Sequence, residues 1–289
     1  MNGTTRGRRR SAFTLIELLV VITIIGILAT MLTVAAGDAL AYARLVKCRS
    51  NLGQIARAAQ AYAVMFDDTI PPARYDVGNE PKLYWCHYLV RSGCLSGQAV
   101  GAQTSKNPLS GSSVFICPDA ADLEVAYDTN ITNPAQENGH DTPAQGWYKM
   151  ESNDGDIFCS YYWNGCTERN TTKAWLWEFP SLLVRSTDTN PASYVHKRSE
   201  IQGLSTMVML TDGIWFDGQQ KPARIAARHK GDNGPRSKTV VVFYDSHTET
   251  LDRKPDNNWA DDPFMNRTNL QDGPPYFRIK DQPTMSTGD

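Results

Sequence analysis

Hydrophobic positions follow three regimes along this chain. From Phe13 to about Ala36 the residues are apolar almost throughout, relieved mainly by small or hydroxyl side chains, and no Lys or Arg follows before Arg44. From Ala39 to Phe66 the apolar positions turn periodic: Leu45, Cys48, Leu52, Ile55, Ala59, Tyr62 and Phe66 recur at spacings of three and four. That is the stripe of an amphipathic helix. Arg44, Lys47, Arg49, Gln54 and Arg57 fall mostly off it. This stretch holds no Pro and Gly53 as its one Gly, so the pattern predicts a single helix from about Phe13 to Phe66, roughly 80 Å long. A break near Gly37-Asp38 is the alternative. Asp67-Asp68 and the pair Pro71-Pro72 stop the helix.

The third regime is short apolar runs between turn residues. Leu83 to Val90 predicts a short helix, and Val114 to Cys117, ended by Pro118, a strand. Ser205–Thr211 and Thr239–Tyr244 read as strands; Asp245-Ser246 turns the chain, and His247–Leu251 pairs back as a hairpin. Stretches 97–113 and 126–156 are polar, loop-like and rich in turn residues. The expected fold is α+β, a long N-terminal helix packed on a C-terminal antiparallel sheet. The expected divisions are a leader (1–12), an apolar helical half (13–37), an amphipathic half (38–66), a globular domain (67–254) and a polar tail (255–289).

The apolar half is long enough to span a bilayer, which takes about 20 residues. Arg6, Arg8, Arg9 and Arg10 precede it, which places the N-terminus in the cytoplasm and the domain outside. Glu17 is the one charge within the span, and a carboxylate there costs roughly 2.5 kcal/mol or more unless paired. An ordinary secretory signal with cleavage after Ala39-Leu40-Ala41 is a rival reading, but such signals have apolar cores of about 7–15 residues. An uncleaved anchor is the other rival, and it leaves Glu17 unexplained.

Ala12-Phe13-Thr14-Leu15-Ile16-Glu17-Leu18-Leu19-Val20-Val21 after an Arg-rich leader resembles the processing site of type IV pilins and type II secretion pseudopilins. The resemblance implies that a prepilin peptidase cuts after Ala12 and that Phe13 becomes the methylated N-terminus. Glu17, fifth from the cut, then sets register against a neighbouring subunit, its carboxylate facing that neighbour's α-ammonium. Family members usually carry Gly where this chain has Ala12. Implied partners are the peptidase, copies of the chain and other pilin-like subunits. The implied location is the inner membrane, then a periplasmic or surface filament. The stretch from Cys48 to Pro72 resembles a group of large pseudopilin-like proteins of the planctomycete and lentisphaera type. That group also has a Phe-x-Cys-Pro element, matched at Phe115 to Pro118, and Arg-His before a strand ending in Asp-Gly-His, where this chain has Asp245-Ser246-His247.

Six cysteines, Cys48, Cys86, Cys94, Cys117, Cys159 and Cys166, follow the span. An even number in an extracytoplasmic domain points to disulfides among about 15 pairings. The group resemblance favours Cys48 with Cys117; Cys86 with Cys94 and Cys159 with Cys166 close short loops. Asp212, His229, Asp245 and His247 are candidate ligands for Zn²⁺ if they converge at one end of the sheet, against the plainer reading of turn aspartates. Asn153 to Asp156 has oxygen ligands at Ca²⁺-like spacing but also the composition of a turn. Trp175, Trp177 and Phe179 suit either a sugar-stacking platform or core anchoring. No phosphate loop, nucleophile elbow, dinucleotide fingerprint or HExxH occurs, so the expectation is a structural subunit, not an enzyme; the alternative is a membrane-tethered extracytoplasmic ligand-binding or metal-dependent enzymatic domain that uses the leader only for export. Formal net charge is −2, and −6 without the four leader arginines; a mildly acidic chain is a poor nucleic-acid ligand.

Overall fold

The computed structural model describes residues 14–76, 83–95, 113–120, 148–150, 152, 157–164, 183–185, 196–201, 203–213, 228–231 and 234–252. Helix α1 covers Leu15–Met65, 51 residues in all. The chain divides into two compact units, Met1–Ala43 and Arg44–Asp289.

The first unit is helical from Leu15 onward, and its apolar side chains, from Leu15 to Leu32 and again at Leu40, are exposed. Among the described residues α1 is the one helix long and apolar enough to cross a membrane, by length and composition. Thr23, Thr30 and Thr33 return their hydroxyls to carbonyls three or four residues back, so these polar groups are satisfied within the helix.

The second unit begins with the amphipathic turns of α1. Cys48, Leu52, Ile55, Ala59 and Tyr62 are all buried, as the stripe requires, whereas Phe66 is 43% exposed because the helix has already ended. The end is made by Asp67 and Asp68, both at positive φ (52° and 62°). Asp68 N–H donates to Ala63 O at 2.8 Å, the long-reach bond of a Schellman cap. The chain thus turns before the prolines. Residues 196–201 fasten to this end: Lys197 Nζ meets Asp67 Oδ2 at 2.6 Å, and Ser199 N–H donates to Asp68 Oδ2 at 2.8 Å.

Strands β1 (Arg74–Asp76) and β2 (Leu83–Tyr84) pair antiparallel; α2 (Trp85–Arg91) follows directly. Strands β3 (Tyr148–Met150) and β4 (Ile157–Cys159) form an antiparallel pair, β5 is Tyr161–Trp163, and β6 (Leu183–Arg185) joins β1 in parallel. The main sheet orders β10-β9-β7-β5 with β8 also on β9; β7 is Val208–Asp212, β8 His229–Gly231, β9 Gly234–Phe243 and β10 Thr248–Asp252. All its pairings are antiparallel. The α+β class with an antiparallel C-terminal sheet is therefore as the sequence indicates.

Strands β8 and β9 pair antiparallel and follow one another in the chain. His229 pairs with Lys238 and Gly231 with Gly234. The core joins α1, α2, the 113–120 segment and one face of the main sheet. At its centre Trp85 stacks on Trp163 at 5.0 Å and meets Phe115 edge-on at 5.6 Å.

Candidate functional site

Among the described residues two groups carry chemistry, one in each unit. At the start of α1, Thr14 is the N-cap and Glu17 the third helical residue. Glu17 Oε2 accepts from Thr14 N–H and from its hydroxyl, both at 2.9 Å, while Glu17 N–H donates to Thr14 Oγ1 at 3.3 Å. This is a capping box, so the Thr-x-x-Glu spacing that looks like an assembly signal is also a helix start. Ala12 and Phe13 lie outside the described residues.

The second group is buried where four segments converge. Cys48 comes from the α1 stripe, Cys117 from the turn closed by Pro118, Asp212 from the end of β7 and His229 from the start of β8; all four are fully buried. Their ligand atoms lie within 4.8 Å of one another. Cys48 Sγ donates to Asp212, 3.2 Å from Oδ1 and 3.4 Å from Oδ2. His229 Nε2 is 2.9 Å from Asp212 Oδ2 and 3.6 Å from Cys117 Sγ. Around them, Asp119 Oδ2 holds His229 Nδ1 at 2.7 Å, and Val240 N–H donates to Asp212 Oδ2 at 3.2 Å. Arg228 Nη1 lies 3.9 Å from Asp212 Oδ1 and donates to Ser160 O at 2.7 Å.

The charges explain one another. Burial works against a charged His229, yet the Asp212 carboxylate, with hydrogen bonds to Asp119 and Asp212, pushes its pKa up to about 12. Burial likewise opposes the Asp212 carboxylate, but His229 and Arg228 beside it hold it below its ordinary value. Burial, the contact with Cys117 and the charge of Asp212 push the Cys48 thiol well up. Cys117 is lowered against its burial by hydrogen bonds with Cys48 and His229. Asp119, His229 and Cys117 have the order of an activated thiol, but Cys117 and His229 expose no surface to a substrate.

The expected ligand set is thus corrected. Asp212 and His229 meet, but Asp245 and His247 do not join them. They sit in the β9–β10 turn, where His247 N–H donates to Asp245 Oδ1 at 3.0 Å and its ring stacks on Phe243 at 4.3 Å. Strand register is the reason: Lys238 and Val240 of β9 face His229 and Asp212, and the turn begins after Phe243, roughly 10 Å further along the strand.

Cys48 and Cys117 are brought together, as free thiols. Cys86 and Cys94 are free too, with different neighbours: Cys86 Sγ is 3.2 Å from Met150 Sδ and Cys94 Sγ 3.7 Å from Met65 Sδ. Cys159 is a buried free thiol whose pKa burial pushes up to about 12. Cys166, the 153–156 loop, Trp175, Trp177 and Phe179 lie outside the described residues. Sequence reasoning missed Asp119 and Arg228 as supporting groups; the signal was their adjacency to Cys117 and His229.

Residues 7–33 match the family model described as the prokaryotic N-terminal methylation motif, the prepilin-type signal of type IV pilins and pseudopilins. The match takes in Arg8, Arg9 and Arg10 of the leader, Ala12, Phe13, Glu17 and the first turns of α1. No curated protein and no solved structure matches the chain. The signal is that of a prepilin-peptidase substrate, and the helix behind it is long and apolar enough to cross a membrane.

Proposed function

We propose that a chain with this signal is a pilin-like structural subunit, cut after Ala12, methylated at Phe13 and assembled into a type IV pilus or type II secretion pseudopilus-like filament. The observation that carries the reading is the run from the Arg-rich leader through Ala12-Phe13 to an uninterrupted helix with exposed apolar side chains and one carboxylate, Glu17. Exposed apolar surface of that extent needs either lipid or other helices around it. Before assembly the basic leader faces the cytoplasm and residues from Arg44 onward lie outside. In the filament the α1 segments bundle at the centre, and Glu17 exchanges its contact with Thr14 for the α-ammonium of the neighbour's Phe13. No catalytic residue is assigned.

The test is the mass and N-terminal sequence of the mature protein from its native membrane, with a shear fraction assayed for polymer. N-methyl-Phe13 in sheared polymer is the expected result. A start at Tyr42 would make the chain an ordinary secreted domain. A processed chain found solely as membrane monomer would mark the signal as an export tether.

A further inference from the structure

We propose that Cys48, Cys117, Asp212 and His229 form a closed four-ligand Zn²⁺ site that ties α1 to the main sheet. A structural zinc site is four-coordinate and tetrahedral, built from Cys, His and carboxylate ligands, with metal–ligand distances of about 2.0–2.3 Å. Such a tetrahedron has edges of roughly 3.3–3.8 Å. Here the separations run from 2.9 Å for His229 Nε2 to Asp212 Oδ2, through 3.2 Å for Cys48 Sγ to Asp212 Oδ1, to 3.6 Å for Cys117 Sγ to His229 Nε2. All pairs fall within 4.8 Å, so ligation needs small side-chain adjustments. Two sulfurs and an imidazole select a borderline-soft cation over Ca²⁺ or Mg²⁺.

The surroundings favour a cation over a disulfide. A Cys48–Cys117 bond would use two of the four groups and remove the hydrogen bond that the Cys48 thiol donates to the fully buried Asp212 carboxylate. A cation is shared by all four. The outer contacts are also those of a metal site. Asp119 holds His229 Nδ1, which leaves Nε2 for the metal, and Val240 N–H fixes Asp212. Zn²⁺ takes the place of three protons, those of both thiols and of Nε2, which leaves the ligand set at −1 beside the Arg228 guanidinium, while the Nδ1 proton stays on the ring and is donated to Asp119. Four protein ligands leave no open position, so the role is structural.

The experiment uses the full chain, purified in detergent without chelator or reductant. Metal analysis is paired with intact mass and thiol alkylation. The expected result is about one Zn²⁺ per chain, with Cys48 and Cys117 alkylated once a chelator is present. Co²⁺ in its place should give the visible bands and thiolate-to-metal charge transfer of a tetrahedral site. Cys48→Ser and His229→Gln should lose the metal, while Cys94→Ser keeps it. Because a ligand variant can misfold, Asp119→Asn is the second test, with affinity lowered about 10–100-fold and the fold retained. A metal-free chain with a Cys48–Cys117 disulfide overturns the proposal. So do free thiols that take up no added Zn²⁺ or Co²⁺, and metal that persists in Cys48→Ser.

Discussion

His229 is held between Asp119 and Asp212, with Cys117 against its ring, Cys48 and Arg228 beside the Asp212 carboxylate, and Arg44 3.4 Å from Asp119. In the reduced, metal-free chain its folded pKa lies above the ordinary value of about 6.5. Its contribution to stability is therefore complete below about pH 6.5 and is lost as the pH rises toward about 12. Asp212 is shifted the other way, so its contribution is present above about pH 3.9 and lost on acidification. Urea midpoints followed by the fluorescence of buried Trp85 and Trp163 should peak between these limits and fall on the alkaline side. A flat alkaline limb would contradict the pairing. Ser246 gives a second residue-scale case. It occupies φ +73° in the β9–β10 turn, a conformation that costs a side chain about 1–2 kcal/mol and glycine far less. Ser246→Gly should raise stability by about 0.5–1 kcal/mol, read as a higher urea midpoint.

Among the elements, the amphipathic turns of α1 hold the second unit together. Leu52 and Ile55 are fully buried, and Leu52→Ala should cost about 2–5 kcal/mol in urea unfolding. Val64→Ala, at a position 82% exposed, should cost little by the same measure. These turns were legible because a helix stripe is a local pattern. The helix end was legible too, Met65 against an expected Phe66, but the means was not: two aspartates at positive φ turn the chain before the prolines are reached. The β8–β9 pairing was missed because its strand residues, Arg236, Ser237 and Lys238, are polar, so hydrophobic alternation gave no signal. Register was hidden for the same kind of reason. Nothing in the spacing of Asp212, His229, Asp245 and His247 says which of them share an end of β9.

For the whole molecule, the signal in residues 7–33 was readable because leader, cut site, Glu17 and apolar span lie together in sequence. The buried cluster was half legible: Asp212 and His229 stood out, and Cys48 and Cys117 were paired, but their union depends on tertiary convergence. In the proposed filament, Glu17→Ala removes the intersubunit partner of the α-ammonium without adding charge to the span. Membrane insertion and Phe13 processing should be normal, while sheared polymer falls below detection on an immunoblot. Wild-type amounts of polymer would sink the assigned role of Glu17.

The cluster also imposes an order in time. Synthesis delivers Cys48 first, Cys117 later, and Asp212 and His229 only after most of the chain has followed. β9, which pairs with β7, β8 and β10, comes later still. Until it arrives, the α1 stripe has no sheet to cover it, and the Cys48 thiol meets whatever oxidant or thiol the compartment holds. The second unit therefore closes late and as a whole. A chain stopped short of Phe243 should be left open along α1, a ready substrate for proteolysis and for mispaired sulfur.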